Sequence, residues 1–208
     1  ETMGPVYFRN QPLGCTATII LSDVPGKSDQ AAQRDLRDFC ALPSFSDTLL
    51  FQSPTCTPMD EATARTLAKI AQIDVVEFAK EMFKAGSNLA NKSVAEICFQ
   101  DFKEFHVNEL TFGVGQINSM DKEELEEIKE KICPKLVEVL KESGLDMVFF
   151  MLTNIVEQST ELLCSGGNAR ETVMDAFELS EDTEDIILNG VVSRKKQLIP
   201  TLVSEMQQ

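Results

Sequence analysis

From residue 101 onward the sequence switches repeatedly between strand-like and helix-like patterns. That alternation limits the fold more than any other feature of the chain. "DFKEFHV" (101–107) and "LTFGVGQIN" (110–118) read as two strands paired around a turn at Asn108 and Glu109. "DKEELEEIKEKICPKLVEVLKESG" (121–144) reads as a long helix. Asp121 and Glu124 have capping-box spacing there, and Met120 faces Leu125 as a hydrophobic staple. Pro134 predicts a kink or a break within it. "DMVFFMLTN" (146–154) reads as a strongly apolar strand, and "STELLCSGG" (159–167) as another that ends in a glycine turn. "ARETVMDAF" follows as a short helix, "EDIILNG" as a strand, and "QLIPTLVSEM" as a terminal helix or turn.

The first half is less regular. Val6–Phe8 is strand-like, and "GCTATIIL" (14–21) fits either a buried strand or the start of a packed helix. "TPMDEATARTLAKIAQ" (57–72) reads as a helix capped by Thr57, with Pro58 at its first position and Asp60 near its positive end. "DVVEFAKEMFKAG" (74–86) reads as a second helix. Asp74 and Glu77 have capping-box spacing, Val75, Phe78, Ala79 and Met82 share an apolar face, and Gly86 ends it. Residues 85–91 have linker composition and mark a domain boundary, with an α/β layer expected on each side.

The 208 residues suffice for one large domain or two small ones, each with a real core. A net charge of −15 argues against nucleic acid and acidic membrane surfaces as partners. No apolar run reaches membrane-spanning length and no signal peptide is visible. Six scattered cysteines without a CxxC pair argue against a zinc knuckle and suit a reducing cytoplasm. The chain begins with Glu1 rather than Met, which fits a fragment or a trimmed product.

Against this acidic background Arg194, Lys195 and Lys196 stand in a row, flanked by Val191-Val192 and Leu198-Ile199. Such runs are usually solvated surface. An isolated one between apolar flanks points instead to a small anion, for which arginine offers a planar fork and lysine a point charge. Lys103 shares a strand face with Phe105 and Val107, which places it at a sheet edge or in a site. Asp47 precedes an apolar run; it reads as a helix N-cap by local pattern, or as a carboxylate ligand for a hard cation. His106 is the single histidine and falls on the face opposite Lys103, as a surface or core-edge residue. "GVGQ" (113–116) lacks the third glycine and the strand–helix context of a dinucleotide fingerprint. "CSGGN" (164–168) is a turn.

"VYFRNQPLGCTATI", "SDTLLFQSPTCT", "NLANKS", "DFKEF", "LTFGVGQINSMD" and "SRKKQLIP" occur in an order that resembles the manganese-dependent (family II) inorganic pyrophosphatases of the DHH phosphoesterase superfamily. The resemblance runs from near residue 5 to the end, apart from residues 23–45. It implies an α/β protein: the remnant of a DHH parallel-sheet domain (1–84), a linker (85–91), and a DHHA2 domain (92–208) with a mixed sheet and flanking helices. It implies hydrolysis of diphosphate to two orthophosphates at a two-metal site between the domains, using Mn²⁺ or Co²⁺ with Mg²⁺. Carried over by motif, Asp47 of "SDT" is a metal ligand, Lys103 of "DFKEF" binds substrate, and so do Arg194 and Lys195 of "SRKKQ". The resemblance leaves the role of Lys196 open, as a candidate helper to them, and homodimers are usual in the family.

The resemblance also implies that the remaining metal ligands lie upstream of Glu1, so that this chain alone carries Asp47 and is inactive or nearly so. Residues 23–45 are polar where the family has a helix and a buried apolar segment. A frameshift pair, leaving the frame near residue 22 and regaining it near Ser46, accounts for this. A shifted frame of "RDFCALPSF" can read Gly-Leu-Leu-Cys-Ser-Ala-Ile-Ile. Taken as written, the segment predicts a severely destabilised N-terminal half. Two other functions stay open: a related phosphoesterase acting on polyphosphate or nucleotides, and a non-catalytic module that binds an anion or a partner.

Overall fold

The structure is a computed structural model that describes residues 8–23, 43–87, 92–180 and 184–207. The chain divides into two compact units, Glu1–Ala79 and Lys80–Gln208.

In the first unit "GCTATIIL" resolves as a helix, α1 (Thr16–Asp23). The second helix, α2 (Pro58–Ala71), is capped by Thr57 and starts on Pro58, as its sequence predicts. Asp60 does more than complement the helix end. It is fully buried. Its carboxylate accepts hydrogen bonds from the Gly14 and Cys15 amides and the Thr18 hydroxyl at the start of α1. It also accepts from the amide and hydroxyl of Thr57. One side chain therefore satisfies the exposed N–H groups at two helix starts and joins them. Gly14 permits the approach, because a Cβ there would lie 2.7 Å from the Thr55 carbonyl oxygen.

Asp47 is not an N-cap. It closes a helical turn over residues 43–47, and the apolar run behind it adopts left-handed backbone at Leu49, Leu50 and Phe51 (φ 47°, 51° and 70°). Bulky residues resist that conformation. The turn is held by the Thr48 hydroxyl, which donates to the Ser44 carbonyl and accepts from the Phe51 amide, and by Leu50 N–H donating to the Phe45 carbonyl. Phe45, fully buried, packs edge-on against both Phe51 and Phe78. The described residues of this unit contain no strand, in contrast to the α/β layer expected there. Of the strand-like start, Val6 and Tyr7 lie outside the described residues, as does most of the atypical stretch, residues 24–42. The next helix, α3 (Val75–Ser87), starts on Asp74, whose carboxylate accepts from the Val76 and Glu77 amides. It runs past Gly86, so the segment expected as linker begins inside a helix; residues 88–91 are not described.

The second unit is built on a five-stranded mixed sheet, β1 (Phe102–Val107), β2 (Leu110–Ser119), β3 (Met147–Asn154), β4 (Ser159–Ser165) and β5 (Ile187–Asn189), in that spatial order. Only β2 and β3 pair in parallel. Parallel neighbours need a crossover, and α5 (Lys122–Ser143) supplies it. Pro134 does not break this helix. Ile132 and Leu136, on either side of it, are buried against the sheet, while Pro134 and Glu130, whose carbonyl it leaves unpaired, are exposed. Asp121 caps α5 and Gly144 ends it in left-handed conformation.

Every residue of β3 is buried, so both faces need cover. Val148, Phe150 and Leu152 meet α4 (Val94–Phe99) and α5. Met147, Phe149 and Met151 meet α6 (Ala169–Ala176), a π-helical turn (Arg194–Leu198) and α7 (Ile199–Met206). The glycines of "GVGQ" serve this packing. A Cβ on Gly113 would strike the Phe102 ring, and one on Gly115 the Phe150 ring.

Gly115→Ala is expected to destabilise the second unit by about 1–3 kcal/mol through overpacking; an unchanged denaturation midpoint would show that Phe150 moves aside freely. Burial works against ionisation of Asp60, but its hydroxyl and amide donors prevail and hold its pKa at about 2, below the ordinary 3.8. The stability it confers is complete above about pH 4 and is lost as pH falls through about 2. Asp60→Asn should lower stability by about 2–3 kcal/mol at neutral pH and flatten that acid transition. Circular dichroism across pH 2–6 checks both outcomes.

Candidate functional site

The basic run sits where the chain crosses from β5 to α7. Ser193 caps the π-helical turn, its hydroxyl accepting from the Lys196 amide. The Gln197 and Leu198 amides both donate to the Ser193 carbonyl, which widens the turn beyond an α-turn. The Gln197 side chain closes the loop before it. Its carbonyl accepts from the Val192 and Ser193 amides, and its amide donates to the Gly190 carbonyl at 2.6 Å. Further contacts fasten this loop to the sheet. Gln116 Nε2 lies 3.1 Å from the Val192 carbonyl, and the Thr160 hydroxyl donates to the Val191 carbonyl at 2.6 Å.

Within the turn the side chains part company. Leu198 and Arg194 point inward, with Leu198 fully buried and Arg194 7% exposed, while Lys195 and Lys196 are exposed. Arg194 reaches Asp101, just before β1, and Val114 in β2. Its Nη1 donates to the Asp101 carbonyl at 2.6 Å and the Val114 carbonyl at 3.1 Å, and its Nη2 to Asp101 Oδ1 at 2.7 Å.

Lys103 stands directly across from Val114 in the β1–β2 register. It shares a face with Phe105 and Val107, which pack into the cluster that the π-helical turn covers. The sheet thus brings Arg194 to the strand pair that carries Lys103, with Lys195 next to it in the chain. Lys103, Lys195 and Lys196 are exposed and form no salt bridge among the described residues, whereas Lys129 is paired with Glu161 and Asp185. In a chain of net charge −15, an exposed lysine outside any ion pair is able to attract a small anion. His106 is exposed and takes no part.

Asp47 belongs to the first unit and is exposed. It meets the buried Cys15 thiol. Burial pushes that thiol above its usual value, and the Asp47 carboxylate adds to the rise. No group of three or more histidine, cysteine, aspartate or glutamate side chains able to hold a metal occurs among the described residues. No helix among them is long and apolar enough to cross a membrane.

Three supporting residues carried no role in the sequence reading. Ser193 was detectable, since a serine three residues before a helical amide is a capping signal. Gln197 and Asp101 were not, because their partners are loop and strand atoms distant in sequence.

Known proteins resemble this chain along most of its length. Residues 80–204 match the DHHA2 domain family. A cobalt-dependent inorganic pyrophosphatase of Clostridium perfringens is 39% identical over 97% of this chain and 36% of its own length. The manganese-dependent inorganic pyrophosphatase of Bacillus subtilis is 35% identical over 99% of this chain and 66% of its own. A Methanococcus jannaschii structure assigned to the family II inorganic pyrophosphatases superposes with a TM-score of 0.76 and 35% identity. It covers 100% of this chain and 69% of the other. The chain thus spans between about a third and two thirds of these curated relatives.

Gln197→Ala would strip partners from two amides and a carbonyl in a half-buried loop. We expect a loss of about 2–3 kcal/mol and faster hydrogen exchange at Val192 and Ser193. Unchanged protection of those amides would mean that the Gln116 and Thr160 contacts hold the loop unaided.

Proposed function

The chain belongs to the DHHA2 domain family and to the manganese-dependent (family II) inorganic pyrophosphatases, and from that premise we propose that it binds diphosphate for an enzyme that hydrolyses it to two orthophosphates. The observation that carries this reading is the split within the basic turn. Arg194 is locked against Asp101 and β2 while Lys195 faces outward beside it, with Lys103 on the adjoining strand.

A diphosphate carries several negative charges on closely spaced oxygens. Lys103 and Lys195 act as point charges toward it, and Arg194 as a directional donor. The same groups would stabilise charge that grows on the departing phosphate. Because the Arg194 anchor is built before any ligand arrives, little ordering cost remains to be met on binding.

Asp47 is the carboxylate we assign to a metal, an oxygen donor suited to Mn²⁺, Co²⁺ or Mg²⁺. The relatives are named for manganese and cobalt. We read residues 1–84 as the closing part of a DHH domain and the protein as cytoplasmic. Cys15, Cys56, Cys98, Cys133 and Cys164 are all free thiols, which a reducing compartment preserves. A homodimer, the habit of the family, is the assembly we expect.

Titration calorimetry with magnesium diphosphate tests the reading, alongside phosphate release in Mn²⁺ and Co²⁺. Diphosphate should bind more tightly than orthophosphate, tripolyphosphate or ATP. Lys103→Ala and Lys195→Ala should each weaken it by about tenfold or more, with thermal stability unchanged. Equal affinity for all four anions, or variants that bind as the parent does, would overturn it.

A further inference from the structure

An arginine that already holds three hydrogen bonds inside the protein looks spent. Donor counting shows otherwise. A guanidinium has five N–H donors. In Arg194 both Nη1 hydrogens go to the Asp101 and Val114 carbonyls, and one Nη2 hydrogen goes to Asp101 Oδ1. Nε–H and the second Nη2–H have no partner among the described residues. No buried side-chain nitrogen or oxygen among them lacks a partner, so Nε is not sealed from solvent, although the side chain as a whole is largely buried. These two hydrogens lie on one edge of the planar group, side by side, in the spacing that matches two oxygens of a phosphate.

We propose that Asp101 is a positioning residue: it grips the far end of the Arg194 guanidinium and thereby presents the Nε–Nη2 edge to the anion. The proposal rests on the diphosphate-binding reading of this site. Asp101 is well placed for the task. Its carbonyl is fixed by the Gln116 amide as well as by Arg194 Nη1. Its side chain is half exposed, so its ion pair with Arg194 (2.7 Å) is not a buried core strut. The helix that precedes it, α4, is set by the reciprocal Ser93–Glu96 cap. The π-helical turn fixes the other end of the contact through Ser193 and Gln197. A carboxylate beside an anion site is otherwise a liability, because its charge repels the ligand. That gives the test a sign.

The measurement is magnesium diphosphate affinity of the full chain by calorimetry, with a thermal melt for each variant. If Asp101 positions Arg194, Asp101→Ala weakens binding by about threefold to tenfold. Asp101→Asn, which keeps the oxygen acceptor and loses the charge, binds as well as the parent or better. In an Arg194→Ala background, Asp101→Ala no longer weakens binding, and relief of repulsion makes it slightly tighter. Tighter binding by Asp101→Ala in the parent background would overturn the proposal and leave Asp101 as mere negative charge. Equal weakening with and without Arg194 would also overturn it, by showing an effect that does not pass through the arginine. If Arg194→Ala, Lys103→Ala and Lys195→Ala all bind diphosphate normally, the site reading itself falls, which is a different outcome from either.

Discussion

The second unit depends on β3 being buried along its whole length. A strand with apolar side chains on both faces cannot lie at a surface, so the sheet needs helices above and below it. On one face α5 does this, and its role as the crossover between β2 and β3 forces the parallel pairing at the centre of the sheet. On the other face the cover comes from α6 and from the chain's last segment. Leu198 and Leu202 are drawn into that core, and the basic turn is carried along with them. The cationic site is therefore placed by apolar burial, and its charged residues need only be correctly phased against it.

That phasing lets a strongly acidic protein keep the exposed cations that we propose for an anion. Among the described residues, the carboxylate that pairs with Arg194 is that of Asp101, which anchors it. Elsewhere opposite charges meet one another: Lys129 lies between Glu161 and Asp185, and Lys135 against Glu138. Lys103 and Lys195 are left outside such pairs among the described residues. Net charge describes how the whole molecule meets distant ions, whereas a bound anion responds to the few groups within its reach.

Most strands and helices of the second unit were legible because hydrophobic period and end signals agree there; the short α4 was missed, although Ser93 and Glu96 have capping-box spacing. The Asn108–Glu109 turn, the Asp121 cap and the apolar β3 each had a local cause. The exceptions are instructive. Pro134 stayed in α5 because sheet packing on both sides of it outweighs one missing hydrogen bond. The residues after Asp47 looked like a helix start, yet tertiary contacts of Phe45 and the Thr48 hydroxyl hold three left-handed residues that no propensity favours. Asp60 read as a helix-dipole residue, and its bonds to Gly14, Cys15 and Thr18 lie more than 40 residues away. The basic run was visible as an anomaly of charge, but the inward turn of Arg194 and the outward turn of Lys195 follow from a π-helical geometry with no signature in the sequence.

That geometry has a consequence for how the chain can vary. A π-turn accommodates one residue more than an α-turn in the same stretch, and so acts as a spacer that resets the angular phase between two helical faces. Removing a single residue from it would rotate α7 by about 100° relative to the basic side chains. Either Leu202 would leave the core or Arg194 would leave its carbonyl partners. Side chains on the outer face are free to drift, while the number of residues between Ser193 and Ile199 is not. The segment is a fixed-length gauge as much as it is a charge cluster.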